Sequence, residues 1–379
     1  MCVCHCDNTN SFGGLEKQAF ALARELNETH EVIMLSSTKR IKNIGWGNLH
    51  GIKTLKFWSY TTPQVGGKKL PASIIWAMQL LLWLLINRKK VDVFHCHQIR
   101  IHAFVAAFCN KFFNMKTVLK SGVGGKGADI NAIGTHKYFG KLGQSFVKNN
   151  NSKFISITKT ISIDLKEVGI LEEDIVVIPN GFDVLKVKSV QPNFINSKAK
   201  FIYLGRLDSD KNVLELVNAA LSLRENYDFE LNIYGRGPLK EILEQIVDDE
   251  CADNYIKILN YVEDISLVLE NNCWFILPSN AEGLSNSMIE AMACGVVPLV
   301  TKVSGAIDHI RHGENGYFID GFSEKGIKVV LALALQSKSD KWLKMSNCCK
   351  FEALENFSMS SVGNQYRELY KKLNGKNIK

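Results

Sequence analysis

Along this chain the hydrophobic positions switch repeatedly between two spacings. "LEKQAFALARELNETH", residues 15–30, places Leu15, Ala19, Leu22, Ala23 and Leu26 at helical intervals, the period of 3.6 that turns one face toward a core. Before it, "CVCHC" at 2–6 is a short apolar run followed by a Gly13-Gly14 turn, which predicts a buried first strand. "EVIMLSS", "VDVFHCH", "KTVLKSG" and "KFISIT" predict further strands. Apolar helices fall between them, one running through "AFVAAFCNKF". Strands separated by helices imply right-handed crossovers and a parallel sheet.

The rhythm breaks at "VVIPNGFDVLKVKSVQPNFINSKAK", where proline, an Asn-Gly pair and scattered lysines are linker signals. It restarts with "KFIYLGRL", a helix over 211–224, "FELNIYG", a helix over 238–248, "YIKILNYV", a helix over 264–271, "CWFILPS", a helix over 284–294 and "GVVPLVT". The expectation is an α/β protein of two Rossmann-like doubly wound domains. Ligands of such sheets bind outside the carboxyl ends of the strands, here in a cleft between the domains.

One segment departs from the pattern. "SIIWAMQLLLWLLINRKK", 73–90, is nearly continuously apolar and then turns basic. It falls short of the roughly 20 residues of a spanning helix. Two readings stay open: a helix buried against a sheet, or a helix dipping into the headgroup region, with Lys68, Lys69, Arg88, Lys89 and Lys90 on anionic lipid.

Composition narrows the class. A chain of 379 residues favours two domains over one, and 46% hydrophobic with 22% charged residues suits sizeable cores rather than a disordered chain. A net charge of +8 and a pI near 8.8 suit anionic partners without choosing among them. Ten cysteines without a CxxC pair, and with no signal peptide read at the start, predict a reduced cytoplasmic protein. No ligands follow "CVCHC" at zinc-like spacing, and His95 and His97, on one face of their strand, read as polar residues at the cleft mouth rather than metal ligands.

The candidate chemistry sits mainly in the second half. "AEGLSNSMIEAMACGVVP" holds Glu282 and Glu290 eight positions apart, with the helix expected to run from about Leu284 to Cys294 and to stop at Gly295. Leu284, Met288, Ala291 and Met292 form its apolar stripe, and Glu290 lies roughly 120° around the wheel from it. Eight residues at helical rise separate the two backbones by roughly 12 Å. Glycosidase carboxyl pairs sit about 5–9.5 Å apart. The spacing therefore favours an elongated ligand gripped at two places over one bond attacked from both sides. Between the hooks, the amides of Gly283, Leu284, Ser285 and Asn286 offer a helix N-terminus to a hydroxyl-rich or anionic group.

Upstream, "YLGRLDSDKN" places Arg206 and Lys211 five residues apart at a strand end, where two cations can neutralise a leaving diphosphate. Asp208-Ser209-Asp210 matches the Asp-x-Asp of metal-dependent sugar transferases, but its place between two cations argues for coincidence. Gly13-Gly14 lets backbone approach a phosphate or sugar. "GVGGKG" at 122–127 fits G-x-G-x-x-G, yet no acidic residue about 20 positions on closes a second strand, so no nicotinamide site is read.

Together these pieces resemble the family-4 retaining glycosyltransferases of the GT-B fold. The resemblance runs from "SFGGLEKQAFALARELNETHEV" through "VVIPNGFD", "FIYLGRLDSDKN", "LNIYGRGPL" and "AEGLSNSMIEAMACGVVPLVT" to "GENGYFID". It implies an N-terminal acceptor-binding domain over 1–183, a nucleotide-sugar domain over 184–355 and a C-terminal helix, 356–379, crossing back to the first domain. It also implies that Arg206 and Lys211 hold the donor diphosphate, Glu290 the ribose and Glu282 the transferred sugar. Gly13 and Gly14 would approach the phosphate, and Tyr261 and Val262 would flank the base. The implied donor is a nucleotide diphosphate sugar, UDP-sugar favoured, carrying a hexose or N-acetylhexosamine. The implied acceptor is a glycan or lipid-linked hydroxyl in cell-surface polysaccharide biosynthesis, with no metal and no nucleic acid. The expected location is cytoplasmic, peripheral on the anionic inner membrane face. Many members carry a histidine after the strand matching "KTVLKSG", where this chain has Lys120, which bears on an acidic or phosphorylated acceptor. A nucleotide-sugar epimerase on the same fold and a non-catalytic binding subunit are the competing readings.

Overall fold

The computed structural model describes residues 2–5, 14–61, 70–122, 129–135, 140–184, 187 and 198–375. They form two compact units, one comprising residues up to Gly181 together with those from Met359 onward, the other Phe182–Ser358.

The first unit runs β1 Cys2–His5, α1 Gly14–Asn27, β2 Ile33–Thr38, β3 Gly45–Leu49, β4 Ile52–Trp58, α2 Leu70–Asn87, β5 Val93–His97, α3 Ile101–Phe113, β6 Lys116–Ser121, α4 Asp129–Gly134, α5 Gly140–Asn149, β7 Lys153–Ser156, α6 Lys159–Glu167 and β8 Ile175–Val177. The strand order is β3-β4-β2-β1-β5-β6-β7-β8. Every neighbouring pair is parallel except β3 with β4. That hairpin is absent from the sequence-based expectation. It turns at His50 and Gly51, whose φ angles of 48° and 88° are the two positive values a primed two-residue turn demands. The Asn48 side chain accepts the Gly51 amide at 2.8 Å.

The last helix is grouped with the first unit from Met359 onward. Met359–Leu373, labelled α14 below, packs Val362, Tyr366, Leu369 and Tyr370 into one core cluster with Ala19, Leu22, Ala23 and Leu26 of α1. Its Gly363 sits so close to α1 that a Cβ there would lie 2.5 Å from Glu25 Cγ. Arg367 pairs with the Glu25 carboxylate at 2.8 Å. The Gln18 carboxamide donates to the Gly181 carbonyl at 2.7 Å and accepts the Gly181 amide at 2.9 Å, fixing the backbone where the chain leaves this unit.

Helix α2 has two unlike faces. Ala72, Trp76, Leu80 and Leu84 are buried, and the Trp76 indole donates to the Ser36 carbonyl of β2. Ile74, Met78, Leu82 and Ile86 stand exposed on the opposite side. Among the described residues it is the one helix long and apolar enough, by length and composition, to cross a membrane.

The second unit runs β9 Ala199–Arg206, α7 Val213–Leu221, β10 Phe229–Arg236, α8 Lys240–Asp249, β11 Ile256–Asn260, α9 Ser266–Leu269, β12 Trp274–Leu277, α10 Asn286–Cys294, β13 Val297–Thr301, α11 Ser304–His309, β14 Tyr317–Ile319, α12 Glu324–Leu335 and α13 Ser339–Phe357, ahead of α14. All neighbours are parallel, in the order β11-β10-β9-β12-β13-β14. Counted from β9 this is 3-2-1-4-5-6, with the chain reversing its direction of travel between β9 and β12. Crevices for ligands open outside the carboxyl ends of strands at such a point.

Three helices are shorter than their apolar periodicity predicts. The helix expected from 211 starts at Val213 because Asn212 adopts a left-handed backbone, φ 50°. The one expected over 264–271 is only Ser266–Leu269. The one expected from Leu284 starts at Asn286, because the Ser285 hydroxyl caps it by accepting the Met288 amide.

Candidate functional site

Two strand ends with the same local sequence build one edge of the site. β9 closes on Leu204-Gly205-Arg206 and β10 on Tyr234-Gly235-Arg236, and the two glycines and two arginines are register partners. The chains then fold tightly over one another. A Cβ on Gly235 would meet the Gly205 carbonyl oxygen at 2.2 Å, and one on Gly237 the Leu207 oxygen at 2.3 Å. Only glycine permits that approach, and it sets Arg206 and Arg236 side by side. Arg236 lies over the ring of Tyr261, 4.8 Å from its centre, just past the end of β11. Tyr261 is exposed and Val262 half-buried.

The other edge is the loop after β12. Glu282 and Lys211, 71 residues apart in sequence, meet at 2.5 Å with side chains 21% and 10% exposed. The Ser279 hydroxyl also donates to Glu282, at 3.1 Å, and the Ser279 carbonyl accepts from Thr301 at 2.6 Å. Asn212 stitches the two loops together: its carboxamide donates to the Pro278 carbonyl at 2.7 Å and to Asn280 Oδ1 at 2.8 Å. The Asn280 amide in turn donates to the Asp210 carbonyl. Lys211 therefore stands on a buried, cross-linked base rather than on a solvated loop.

Arg206 is paired with Asp208, and the buried Tyr203 hydroxyl donates to the Arg206 carbonyl at 2.6 Å. Burial, followed by the charges of Glu282 and Asp208, holds the Tyr203 phenol well above its usual pKa. That phenol stays a neutral donor beneath a charged cluster. Asp208, half of the Asp-Ser-Asp sequence, thus serves an arginine. Among the described residues no three His, Cys, Asp or Glu side chains gather as a metal group.

Helix α10 carries the second glutamate. Met288, Ile289, Ala291, Met292, Ala293 and Cys294 are all buried, so the accessible stripe is confined to Asn286, Ser287 and Glu290. The Ser287 hydroxyl donates to the Leu204 carbonyl at 3.1 Å, tying the first turn to β9. Gly283 and Ser285 are half-buried and Leu284 is buried. The Gly283 carbonyl accepts the Gly305 amide at 2.8 Å, where a Cβ on Gly305 would collide with it. The second unit thus brings together Arg206, Lys211, Glu282 and the start of α10. Arg236 and Asn212 join them, and both escaped the sequence reading. The repeated apolar-Gly-Arg strand ending was the signal for Arg236; nothing in the sequence marked Asn212.

The remaining expected residues belong to the first unit. Gly14 opens α1, and Gly13 lies outside the described residues, as does all but the first residue of "GVGGKG". Lys120 is 3% exposed, its backbone paired with His97 on β5 and Ile155 on β7. Burial pushes its ammonium down to about 7. Its Nζ stands 5.8 Å from the centre of the Tyr366 ring of α14. His95 and His97 are buried, not set at an open mouth: their rings stack at 4.4 Å, and His95 Nδ1 shares a 2.7 Å hydrogen bond with the Tyr370 hydroxyl. Burial and the Lys120 charge keep His95 well below its usual pKa. The alternation of "VDVFHCH" placed both histidines on one face correctly but could not show that α14 covers it.

Two family descriptions match in tandem: Glycosyltransferase Family 4 over residues 12–185 and Glycosyl transferases group 1 over residues 186–348. The N-acetyl-alpha-D-glucosaminyl L-malate synthase of Bacillus anthracis is 21% identical over 292 residues, 75% of each chain. Among solved structures, Anabaena HepE in complex with UDP-glucose superposes with a TM-score of 0.75 at 16% identity, covering 98% of this chain and all of that one. The lipopolysaccharide outer core galactosyltransferase WaaB superposes with a TM-score of 0.73 at 17% identity, covering 98% and 100%. At those identities the superpositions establish a shared two-domain GT-B fold.

Proposed function

Because the chain belongs to the family-4 glycosyltransferases of the GT-B type, we propose that it moves a hexose or N-acetylhexosamine from a nucleotide diphosphate sugar, UDP-sugar favoured, to a hydroxyl of a glycan or lipid-linked acceptor. The anomeric configuration is retained and no metal takes part. Cell-surface polysaccharide assembly, on the cytoplasmic side, is the proposed setting; the likeness to the lipopolysaccharide galactosyltransferase WaaB supports the first part of that reading.

The carrying observation is the buried Lys211–Glu282 pair at the β9–β12 switch point, with Arg206 alongside. An ammonium has three donors. Lys211 spends one on Glu282 and aims the others at the donor diphosphate, which Arg206 shares. Glu282 keeps acceptor capacity for the sugar hydroxyls. Glu290 takes the ribose hydroxyls from the accessible stripe of α10, and Tyr261 and Val262 flank the base. The start of α10, Gly283 to Asn286, adds the positive end of a helix dipole. As the bond from the anomeric carbon to phosphate breaks, these groups bear the charge of the departing diphosphate. The acceptor oxygen bonds to the anomeric carbon from the same face, and its proton passes to a phosphate oxygen. Lys120, buried against Tyr366 of α14, is left out of the acceptor contacts.

The test incubates the protein with a panel of nucleotide sugars in excess chelator. Slow release of nucleoside diphosphate from one UDP-sugar is expected, with an α-anomer in the product when the donor is α. Turnover abolished by chelator and restored by manganese, or an inverted product, would overturn the corresponding part of the reading.

A further inference from the structure

A helix that is apolar all round needs a partner on both sides. Helix α2 has one: the stripe Ala72, Trp76, Leu80 and Leu84 is buried within the first unit. The opposite stripe, Ile74, Met78, Leu82 and Ile86, follows i, i+4 spacing and is 46%, 65%, 61% and 73% exposed. At helical rise it extends about 18 Å. Isolated exposed leucines are ordinary, but an unbroken aliphatic row of this length marks a contact surface.

The row does not stand alone. Trp46, on the edge strand β3, is 61% exposed and meets Trp83 of α2 edge-on at 6.4 Å. Ile41 and Ile44, in the turn just before β3, are exposed with it. Just past the carboxyl end of the helix, Arg88 lies over the ring of Phe113, 5.4 Å from its centre. Two elements distant in sequence thus present one apolar surface.

Its charge selects the occupant. Residues 39–50 and 70–90 contain no Asp or Glu. They contain Lys39, Arg40 and Lys42 beside Ile41, and Arg88, Lys89 and Lys90 at the end of α2, all exposed. An apolar row with three cations at its carboxyl end, and a cationic turn and an indole beside it, fits the interface of an anionic bilayer: acyl chains take the row, lipid phosphates take the rim. The helix cannot cross that bilayer while its other stripe is held in the core.

We propose that α2 and the β3 edge form a monotopic docking surface for anionic lipid, with the outer row of α2 lying in the membrane plane. The surface does not depend on the transfer chemistry, so either reading can fail without the other.

The test is sedimentation with vesicles of phosphatidylcholine containing phosphatidylglycerol, and with phosphatidylcholine alone, at low and high salt. Binding to the anionic vesicles at low salt is expected, weakened at least tenfold at high salt. Arg88→Glu/Lys89→Glu/Lys90→Glu, on exposed positions that leave the core intact, should lose at least tenfold in vesicle affinity. Leu82→Asp should lose as much, with circular dichroism confirming its fold. A blue shift in tryptophan fluorescence on vesicle addition should shrink in Trp46→Phe. Absence of binding to anionic vesicles, or unchanged binding by the charge-reversal variant, would refute the proposal. So would a concentration-dependent dimer in sedimentation velocity that Leu82→Asp abolishes, since a second copy would then cover the row.

Discussion

Among the described residues two lysines are buried, and the molecule treats them differently. Lys211 in the second unit is 8% exposed and meets the Glu282 carboxylate at 2.5 Å. Lys120 in the first is 3% exposed and faces an aromatic ring, with no carboxylate bonded to it among the described residues. Taking an ammonium out of water is costly unless an opposite charge compensates. In the second unit the cross-linked loops supply that compensation. In the first no described residue does, and the proton becomes labile near neutrality. One lysine is held by a carboxylate and the other is left with a labile proton.

The largest effect is expected from breaking the ion pair. Lys211→Met leaves Glu282 half-buried without its partner, which should cost about 3 kcal/mol of stability in urea melts. Donor turnover should fall at least tenfold. Adding Glu282→Leu should restore much of the stability and none of the turnover. Recovery of turnover in the double variant would remove both residues from the donor site.

Lys120→Met should act in the opposite direction, raising stability by about 2 kcal/mol at pH 6. The folded pKa of about 7 lies below the ordinary 10.5. The cost of protonating the buried amine is therefore fully present below pH 7 and fades as pH rises from about 7 to 10.5, where the unfolded chain binds the extra proton. The advantage of the variant should shrink over that window. An advantage independent of pH would show that packing, not charge, is responsible.

A smaller change, about 1–2 kcal/mol, is expected for Asn212→Ala, which loses two buried hydrogen bonds and keeps a left-handed backbone. Asn212→Gly relieves the backbone and should be milder in thermal melts. If alanine proved the milder of the two, backbone strain at 212 would be ruled out as a contributor; if both variants matched the parent protein, the stitching role of the carboxamide would be lost.

Much of this arrangement was legible before the fold was seen. The two sheets and the strand-end cations follow from periodicity and punctuation. Glu282 and Glu290 stood out because a polar residue at the edge of a strongly apolar segment is conspicuous. What escaped has physical causes. The β3–β4 hairpin, "GWGNLHGIKTLKFW", is interrupted by Gly45, Gly47 and Gly51, which erase alternation, and β3 is an edge strand with little to bury. The burial of Lys120 and His95 depends on α14, more than 240 residues downstream. Asn212 matters through its backbone angle, which no pattern of side chains announces. The outward face of α2 was indistinguishable from its inward one because both are aliphatic.

The last helix has a consequence for synthesis. The first unit is left at Gly181 and rejoined at Met359, and its core draws on Val362, Tyr366, Leu369 and Tyr370. At about 5–20 residues per second, a ribosome needs roughly 10–35 s to supply the missing piece. Through that interval the amino-terminal half lacks the helix that covers the apolar face of α1.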